Sequence, residues 1–309
     1  MSMTLESNNR PVRLCEGRVA VVTGAGRGVG RAYALLLASH GAKVIVNDLG
    51  VGADGSNADA SPANEVVREI KTAGGDAIAD DSDISSFVGA KRLVDAAIDT
   101  YGTLDIVVNN AGILRDRMLV NMSEAEWDDV IRVHLKGTFC PAHHAAAYWK
   151  RKSKETGGPV NARLINTSST SGLFGNIGQT NYGAAKAGIA AFSIIAAREL
   201  ASIGVTVNAI TPTAATRLTE RLRVLDDEQR EARDPKWIAP VVVYLASAQA
   251  SHITGRVFQV GNGVLSVMEG WHRGPQRAPI LDPVELGPIL TTMSAESRRN
   301  AGMNSLDLD

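Results

Sequence analysis

The feature that most constrains the fold is a glycine-rich stretch directly after a short apolar run near the start of the chain. Residues 18–23 are mostly β-branched and apolar, which predicts a strand, and residues 23–30 read TGAGRGVG. Gly24 permits a tight turn, Gly28 lets the backbone approach a pyrophosphate, and Gly30 allows close contact between helix and sheet. Three spaced glycines are a costly way to build an ordinary turn. We therefore predict a strand, a phosphate-binding loop and a helix whose N-terminus faces the anion.

Strand-like and helix-like segments alternate along the chain as far as Gly263. Strands that alternate with helices over short links form a parallel sheet with helices on both faces, and right-handed connections make it doubly wound. We predict an α/β fold, the Rossmann fold, in which a capping box at Ser123 and Glu126 starts a long helix. The predicted strands are residues 18–23, 43–48, 76–80, 104–109, 162–168, 205–211 and 257–260, and the predicted helices are residues 28–40, 61–73, 86–101, 123–150 and 182–203.

Composition excludes several classes of function. The chain has 309 residues, a formal net charge of −1 and 44% hydrophobic residues, so it offers no basic footprint for nucleic acid or an anionic membrane. We find no apolar run long enough to span a bilayer, and residues 1–15 lack the apolar core of a secretory signal. The two cysteines, Cys15 and Cys140, indicate free thiols in a reducing compartment, so we expect a cytoplasmic protein. We expect no metal site.

The residue that ends the second strand indicates which dinucleotide the loop accepts. Asp48 stands 24 residues after Gly24, where a carboxylate can accept from both adenosine ribose hydroxyls, each bond contributing roughly 1.5–3 kcal/mol. The same charge repels a 2′-phosphate. Arg27 favours the opposite choice, because a basic residue before Gly28 can reach that phosphate, although Arg27 could equally be a solvated loop charge. The alternative for Asp48 is a turn-forming role. We weigh the repulsion more heavily and predict NAD rather than NADP.

Three residues suggest proton transfer. Tyr182 and Lys186 are four residues apart and share one helix face, and Ser169 lies 13 residues before Tyr182 at the end of a predicted strand. A phenol with a pKa of about 10 needs roughly 4 kcal/mol of phenolate stabilisation to act as a base near pH 7. A Lys186 ammonium and a cationic nicotinamide ring are the plausible sources, and Ser169 would orient the substrate oxygen. The Tyr–Lys pair alone is a weak signal; with Ser169 it predicts catalysis.

At this point the sequence resembles the short-chain dehydrogenase/reductase family over residues 17–263. The resemblance rests on residues 23–30, on Asn109-Asn110-Ala111-Gly112, and on Ser169, Tyr182 and Lys186 in the family's order and spacing. It implies a seven-stranded sheet, hydride transfer at C4 of nicotinamide, Asn110 beside the cofactor, and adenine contacts near Asp83-Ile84. The cofactor-binding residues it implies are Gly24, Arg27, Gly28, Val29, Gly30, Asp48, Asp83, Ile84, Asn110, Ala111, Gly112, Tyr182, Lys186 and Ala215.

Two positions depart from the usual family pattern. His134 stands where the family has the asparagine that completes its proton-relay tetrad, so we expect His134 to be either a catalytic relay residue or a satisfied core histidine. Thr213 replaces the glycine that many members have after Pro212, in the segment that holds the carboxamide.

One branch of the family is closer, namely the dehydrogenase domain of peroxisomal multifunctional enzyme type 2. The similarity lies in residues 47–50, 109–117 and 132–135, and in Gly175-Asn176 with Gly178-Gln179. It implies oxidation of a (3R)-hydroxyacyl-CoA to a 3-ketoacyl-CoA. The phosphates of such a substrate need basic partners, and Arg115, Arg117 and Arg217 are candidates near the predicted site, although they could equally be solvated. The alternatives are a hydroxysteroid or sterol side-chain CoA dehydrogenase and, more remotely, a noncatalytic NAD-binding interaction protein.

Domain organisation and assembly complete the expectations. We predict one Rossmann domain over residues 1–263 and a C-terminal extension of unknown role over residues 264–309, which is rich in Gly and Pro and has few apolar positions. The apolar and small faces of the helices at 123–150 and 182–203 suggest packing beyond one subunit, and in the family those helices form a four-helix contact. We expect a homodimer or homotetramer that acts on a small molecule.

Overall fold

The computed structural model of the protein describes residues 12–50, 61–215 and 225–303. The strands are β1 Val19–Thr23, β2 Lys43–Asn47, β3 Asp76–Asp80, β4 Ile106–Asn109, β5 Ala162–Thr167, β6 Val205–Pro212, β7 Val257–Gly261 and β8 Val264–Met268. The helices are α1 Gly28–Ser39, α2 Ser61–Thr72, α3 Phe87–Tyr101, α4 Glu124–Val130, α5 Gly137–Thr156, α6 Thr170–Phe174, α7 Thr180–Leu200, α8 Asp227–Ala232, α9 Ala239–Ala246 and α10 Pro283–Glu296.

The strands form one sheet in the order β3-β2-β1-β4-β5-β6-β7-β8. All neighbouring pairs are parallel except β7 and β8. β1 pairs with β2 on one side and with β4 on the other, so the direction in which strands are added reverses between β1 and β4. Ligands of such sheets bind outside the carboxyl ends of the strands at that reversal. The predicted doubly wound Rossmann fold is confirmed, with boundaries that differ by a few residues.

Helices cover both faces of the sheet. Ala20 and Val22 of β1 belong to a core with α1, α2 and α9, whereas Val19 and Val21 belong to a second core with α3, α5 and α7. Every residue of β1 is buried, because successive side chains of a strand point to opposite faces and both faces are covered. Trp149 of α5 is fully buried, and its indole N–H donates to the carbonyl of Leu104 at 2.7 Å.

The long helix predicted from the capping box is interrupted by a π-helical turn. Ser123 accepts from the backbone N–H of Glu126, and the Glu126 side chain accepts from the N–H of Ser123, so the capping box is present. Between α4 and α5, Ile131–Lys136 forms a π turn, and α5 continues to Thr156. Such turns are frequent at functional sites, and this one carries the buried side chain of His134.

The resemblance implied seven strands, but the described residues form eight. Asn262 and Gly263 both have positive φ, +53° and +73°, as a two-residue hairpin turn of type I′ requires. The turn pairs β8 antiparallel to β7, with Gly261 opposite Val264. The first five residues of the predicted C-terminal extension therefore belong to the sheet.

Beyond β8 the extension contributes α10, which has no buried residue. Among the described residues, no helix is both long and apolar enough to cross a membrane.

Candidate active site

The glycine-rich loop between β1 and α1 leaves no room for side chains. Gly24 has a φ of +63°, and a Cβ there would lie 2.7 Å from the Cα of Ala111. A Cβ on Gly30 would overlap the carbonyl oxygen of Gly24, and Gly28 has a φ of +55°. Helix α1 begins at Gly28, so its unpaired N-terminal N–H groups lie at the carboxyl edge of the sheet. The loop has the close backbone packing that a pyrophosphate site needs.

Asn110 joins the carboxyl ends of β1 and β4. Its side-chain amide donates to the carbonyls of Thr23 and Gly24, at 3.0 and 3.1 Å. In return, the Thr23 hydroxyl accepts from the N–H groups of Asn110 and Ala111, at 2.9 and 3.2 Å. Asn110 and Ala111 therefore lie beside the loop, and the Asn110 side chain fixes the loop backbone.

Asp48 follows β2 directly and is half-buried. Its Oδ2 accepts from the N–H of Gly26 at 2.8 Å, and its Oδ1 accepts from the N–H of Gly50 at 2.7 Å. These bonds give Asp48 the turn-forming role that the sequence left as an alternative. A carboxylate has about four acceptor positions, so about two remain for ligand hydroxyls. Arg27 is exposed at the N-cap of α1, and Val29 is half-buried in the first turn.

Asp83 and Ile84 lie after β3 at the same edge of the sheet. Oδ1 of Asp83 accepts from the N–H and the hydroxyl of Ser85, at 2.9 and 2.7 Å, so this carboxylate shapes the turn before α3. The Ile84 side chain is buried, and a Cβ on Gly137 would overlap it. The Asp80 carboxylate accepts from the side-chain amide of Asn47 at 2.8 Å, so it is engaged within the protein and is a weaker candidate for an adenine contact.

Ser169, Tyr182 and Lys186 come together at the ends of β5 and α7. Ser169 precedes α6, where its hydroxyl accepts from the N–H of Ser171 at 3.1 Å, and it also forms a hydrogen bond with Tyr182. The ammonium of Lys186 lies 5.5 Å from the ring centroid of Tyr182 and donates to the carbonyl of Thr167 at 2.6 Å. The helical spacing thus places both side chains on the same face, as predicted.

Burial opposes charge on both partners of the pair. It raises the pKa of the Tyr182 phenol to about 12, while the hydrogen bond with Ser169 acts in the lowering direction and the Asp116 carboxylate acts in the raising direction. Burial also lowers the pKa of Lys186 from 10.5 to about 7. In the protein alone the phenol is therefore not acidic, and the cationic nicotinamide ring is the second source of phenolate stabilisation expected from the sequence beside Lys186. Additional positive charge at the site is required.

His134 is held as a neutral imidazole. Its Nε2 lies 2.7 Å from the carbonyl oxygen and 3.1 Å from the N–H of Ile113, and its Nδ1 is buried with no partner among the described residues. Burial and the nearby Lys186 lower the pKa of His134 to about 3. The ring meets Tyr182 edge-on, with centroids 5.1 Å apart, and leaves no space for a Cβ on Gly112.

Asn181 is a site residue that sequence reasoning missed. Its side chain is fully buried and donates to the carbonyls of Arg115 and Glu126, both at 3.0 Å, while its Oδ1 accepts from the N–H of Tyr182 at 2.7 Å. It therefore ties the first turn of α7 to the segment after β4. An asparagine directly before the tyrosine was the available signal.

The candidate phosphate-binding arginines are paired within the protein. Arg115 lies 3.5 Å from Asp129, and Arg117 lies 3.2 Å from Glu126. Arg217 lies outside the described residues. Ala215, the last residue described before that gap, donates its N–H to the carbonyl of Arg233 at 2.8 Å.

Thr213, at the position where many family members have glycine, donates its backbone N–H to the carbonyl of Val260 at 2.8 Å. A Cβ on Gly261 would overlap the Thr213 carbonyl, so the segment packs tightly against the end of β7.

Comparison with known proteins agrees with this geometry. The family described as short chain dehydrogenase matches residues 18–229. The chain is 42% identical to hydroxyacyl-CoA dehydrogenase ChsB1 of Mycobacterium tuberculosis over 99% of both chains. It is also 49% identical over 74% of its length to peroxisomal multifunctional enzyme type 2 of Drosophila melanogaster, of which it spans only 36%.

A solved structure shares the architecture. It is a short chain dehydrogenase from Mycobacterium avium, with a TM-score of 0.84, 48% identity, and coverage of 94% of this chain and 98% of the other. The resemblance drawn from the sequence, including its closer branch, is confirmed. The chain belongs to the short-chain dehydrogenase family and is an oxidoreductase that acts on CH–OH groups.

Proposed function

We propose that the protein oxidises a (3R)-hydroxyacyl-CoA to the 3-ketoacyl-CoA with NAD+. The observation that carries the proposal is the cluster of Ser169, Tyr182 and Lys186 at the carboxyl edge of the sheet. It occurs in a chain that is 42% identical, from end to end, to a protein named hydroxyacyl-CoA dehydrogenase.

The residues at the carboxyl edge fit a dinucleotide. A Cβ on Gly24 would fill the space between the loop and Ala111, and the N-terminus of α1 offers N–H groups to a pyrophosphate. Asp48 has acceptor capacity left for ribose hydroxyls and repels a 2′-phosphate, which supports NAD over NADP. NAD+, when bound, supplies the hydride acceptor and a positive charge.

Tyr182 is the proposed base that takes the proton of the substrate hydroxyl. Because the pKa of Tyr182 is about 12 in the protein alone, the phenol ionises near neutral pH only when further positive charge stabilises the phenolate. The ammonium of Lys186, 5.5 Å from the ring centroid, contributes part of that charge.

Ser169 and His134 complete the proposed proton path. The Ser169 hydroxyl, already hydrogen-bonded to Tyr182, orients the substrate oxygen. His134 remains neutral at physiological pH, since its pKa is about 3. It therefore relays a proton by exchanging hydrogen bonds and does not carry charge.

The test is a substrate panel on purified protein. (3R)-hydroxyacyl-CoA esters, their (3S) epimers and free secondary alcohols are each assayed for NADH formation with NAD+ and with NADP+. We expect the (3R) thioesters with NAD+ to give the highest kcat/KM and Tyr182→Phe to abolish turnover. No NADH from any (3R) thioester, while another alcohol turns over, would overturn the substrate assignment.

A second candidate substrate is a steroid alcohol or a sterol side-chain CoA ester. The observation that favours it is an exposed apolar patch near the site, formed by Met118, Leu119, Val120 and Ile177. Such a patch fits a large apolar substrate, and the internally paired Arg115 and Arg117 leave less charge for phosphates. A free steroid alcohol that turns over faster than any acyl-CoA would select this candidate.

We also propose that the protein assembles as a homodimer or homotetramer. On α5, the exposed ring of Phe139 stacks with the exposed Phe87 at 6.3 Å, and Ile195 of α7 is exposed as well. Phe139 and Ile195 lie on the two helices from which the sequence predicted an interface, and Phe87 begins the neighbouring α3. Light scattering should give a multiple of the 32.6 kDa chain mass, and a monomer mass would refute assembly.

We also propose a cytoplasmic location and a C-terminal extension distinct from the main domain, which begins after β8 because residues 264–268 belong to the sheet. The buried free thiols of Cys15 and Cys140 suit a reducing compartment. The absence of buried residues in α10 supports an extension distinct from the main core.

A further inference from the structure

Two segments that the sequence marked as typical of one branch are joined beside the candidate site. The backbone N–H of Arg117 donates to the carbonyl of Gly178 at 2.8 Å, and Arg117 forms an isolated parallel bridge with Gln179. Alongside that bridge, the Gln179 amide donates from Nε2 to Oδ2 of Asp116 at 2.9 Å. The Asp116–Gln179 hydrogen bond thus connects the segment after β4 to the residues immediately before α7.

Gln179 is well placed to control the start of the helix that carries Tyr182. It is the N-cap residue of α7, three positions before Tyr182, and its side chain is buried. Its Oε1 accepts from Asn176 at 2.9 Å, so both ends of the amide are engaged. Together with Asn181, it holds the first turn of α7 against the segment after β4.

The Asp116 carboxylate has unused acceptor capacity. Its Oδ1 is buried and has no hydrogen-bond partner among the described residues. Its charge acts on Tyr182, where it opposes ionisation of the phenol. The other groups around Tyr182 are the ion pairs Arg115–Asp129 and Arg117–Glu126, the neutral His134, the hydroxyl of Ser169 and the ammonium of Lys186. Both arginines pair with carboxylates of α4, and among the described residues neither forms an ion pair with Asp116.

We propose that Asp116 and Gln179 are a positioning pair for the reaction. Their hydrogen bond fixes the first turn of α7, which carries Tyr182, relative to the segment after β4, and it holds the negative charge of the Asp116 carboxylate against the N-cap of that helix. The proposal rests on the proposed function only in taking Tyr182 as the base. It assigns separate consequences to the bond and to the charge, and substitutions can separate the two.

The experiment compares the pH dependence of kcat/KM for the wild type, Asp116→Asn and Gln179→Ala. In Asp116→Asn the amide oxygen still accepts from Gln179 but the charge is gone. Because the loss of this charge lowers the pKa of the Tyr182 phenol, we expect the acid limb of the kcat/KM profile to move to lower pH by about one unit. Gln179→Ala removes the bond and keeps the charge, so kcat should fall by about tenfold while the limb does not move down.

Asp128→Asn is the matched control. It removes one carboxylate charge from an exposed position of α4, and its pH profile should coincide with that of the wild type. An Asp116→Asn limb that coincides with the wild type overturns the role of the charge. An unchanged kcat in Gln179→Ala overturns the role of the bond.

If circular dichroism shows that Asp116→Asn does not fold, Asp116→Glu tests the role of the charge instead. This variant keeps the carboxylate and should keep the limb in place while kcat falls; a limb displaced downward would contradict the proposal.

The readout also separates this proposal from the substrate assignment. Any secondary alcohol that turns over is sufficient for the pH profile, so failure of the acyl-CoA proposal leaves the test intact. If no alcohol turns over, the proposed function fails, but the pKa of the Tyr182 phenol can still be measured by its ultraviolet absorbance. The signal of Tyr182 is the difference between each protein and the same protein with Tyr182→Phe. A phenol pKa that is lower in Asp116→Asn supports the charge effect, and an unchanged value overturns it.

Discussion

Replacing Lys186 by methionine should stabilise the protein while it destroys activity. The Lys186 side chain is 3% exposed, and burial lowers its pKa from 10.5 to about 7. It donates to the carbonyl of Thr167, and no carboxylate of the described residues forms an ion pair with it. A buried ammonium without an anionic partner is held at a cost in folding free energy.

The magnitude follows from the difference between folded and unfolded states. A fall in pKa from 10.5 to about 7 corresponds to roughly 5 kcal/mol at 1.36 kcal/mol per pKa unit. Between those pH values the unfolded state binds more protons than the folded state. The folding penalty of Lys186 is therefore absent above pH 10.5, grows as the pH falls, and is nearly complete at about pH 7. Methionine removes that penalty but leaves the Thr167 carbonyl unpaired, which costs about 1–3 kcal/mol. We expect a net gain of ~2–3 kcal/mol at pH 7.

The assay is urea unfolding of wild type and Lys186→Met at pH values from about 6 to 9.5, below the range in which free phenols titrate. Protein concentration is held constant because assembly contributes to apparent stability. The advantage of the variant should shrink by ~1.4 kcal/mol for each pH unit above 7. A stability difference that does not change with pH would refute the reasoning, because it would mean that Lys186 titrates normally in the folded protein.

Three further predictions concern the cofactor edge and the relay. Asp48→Asn should lower kcat/KM for NAD+ about 10-fold or more and lower the preference over NADP+, measured as a ratio of kcat/KM values; an unchanged ratio contradicts the ribose assignment. Gly24→Ala places a Cβ 2.7 Å from Ala111 at a φ of +63°, so NADH affinity, followed by fluorescence titration, should fall. His134→Asn should keep the acid limb of the wild-type profile, since a pKa of about 3 leaves His134 neutral throughout; a limb that disappears would assign it to the imidazole.

The sheet and its helices could be predicted because their signals are local. Continuous apolar β-branched runs predict strands buried on both faces, and the glycines after β1 identify the first loop-to-helix turn. Spacing along one helix was sufficient to place Tyr182 and Lys186 together. The type I′ turn at Asn262 and Gly263 was missed, although an Asn-Gly pair between apolar runs is a strong hairpin signal.

The remaining features depend on contacts between distant segments. Nothing in the sequence around Asp116 indicates that the amide of Gln179 donates to its carboxylate, since the two residues lie 63 positions apart. The rise that burial causes in the pKa of Tyr182 could not be predicted from the sequence for the same reason, because the cost of burial depends on the whole fold around the phenol. For Arg115 and Arg117 the sequence left a phosphate-binding role and a solvated one open, and it did not indicate the carboxylate partners that α4 supplies.

The π turn at Ile131–Lys136 has a consequence for how this helix tolerates changes in length. A π turn contains one residue more than an α-helical turn, and one residue corresponds to about 100° of rotation about the helix axis. Deleting one of these six residues would convert the π turn into a regular α-helical turn, and the residues after it would keep nearly the direction in which they now face. Trp149 would then still reach the Leu104 carbonyl to which it donates. A one-residue deletion in this turn should therefore preserve cooperative unfolding, whereas a one-residue deletion in the regular part of α5 before Trp149 should rotate the indole away from that carbonyl and destabilise the fold.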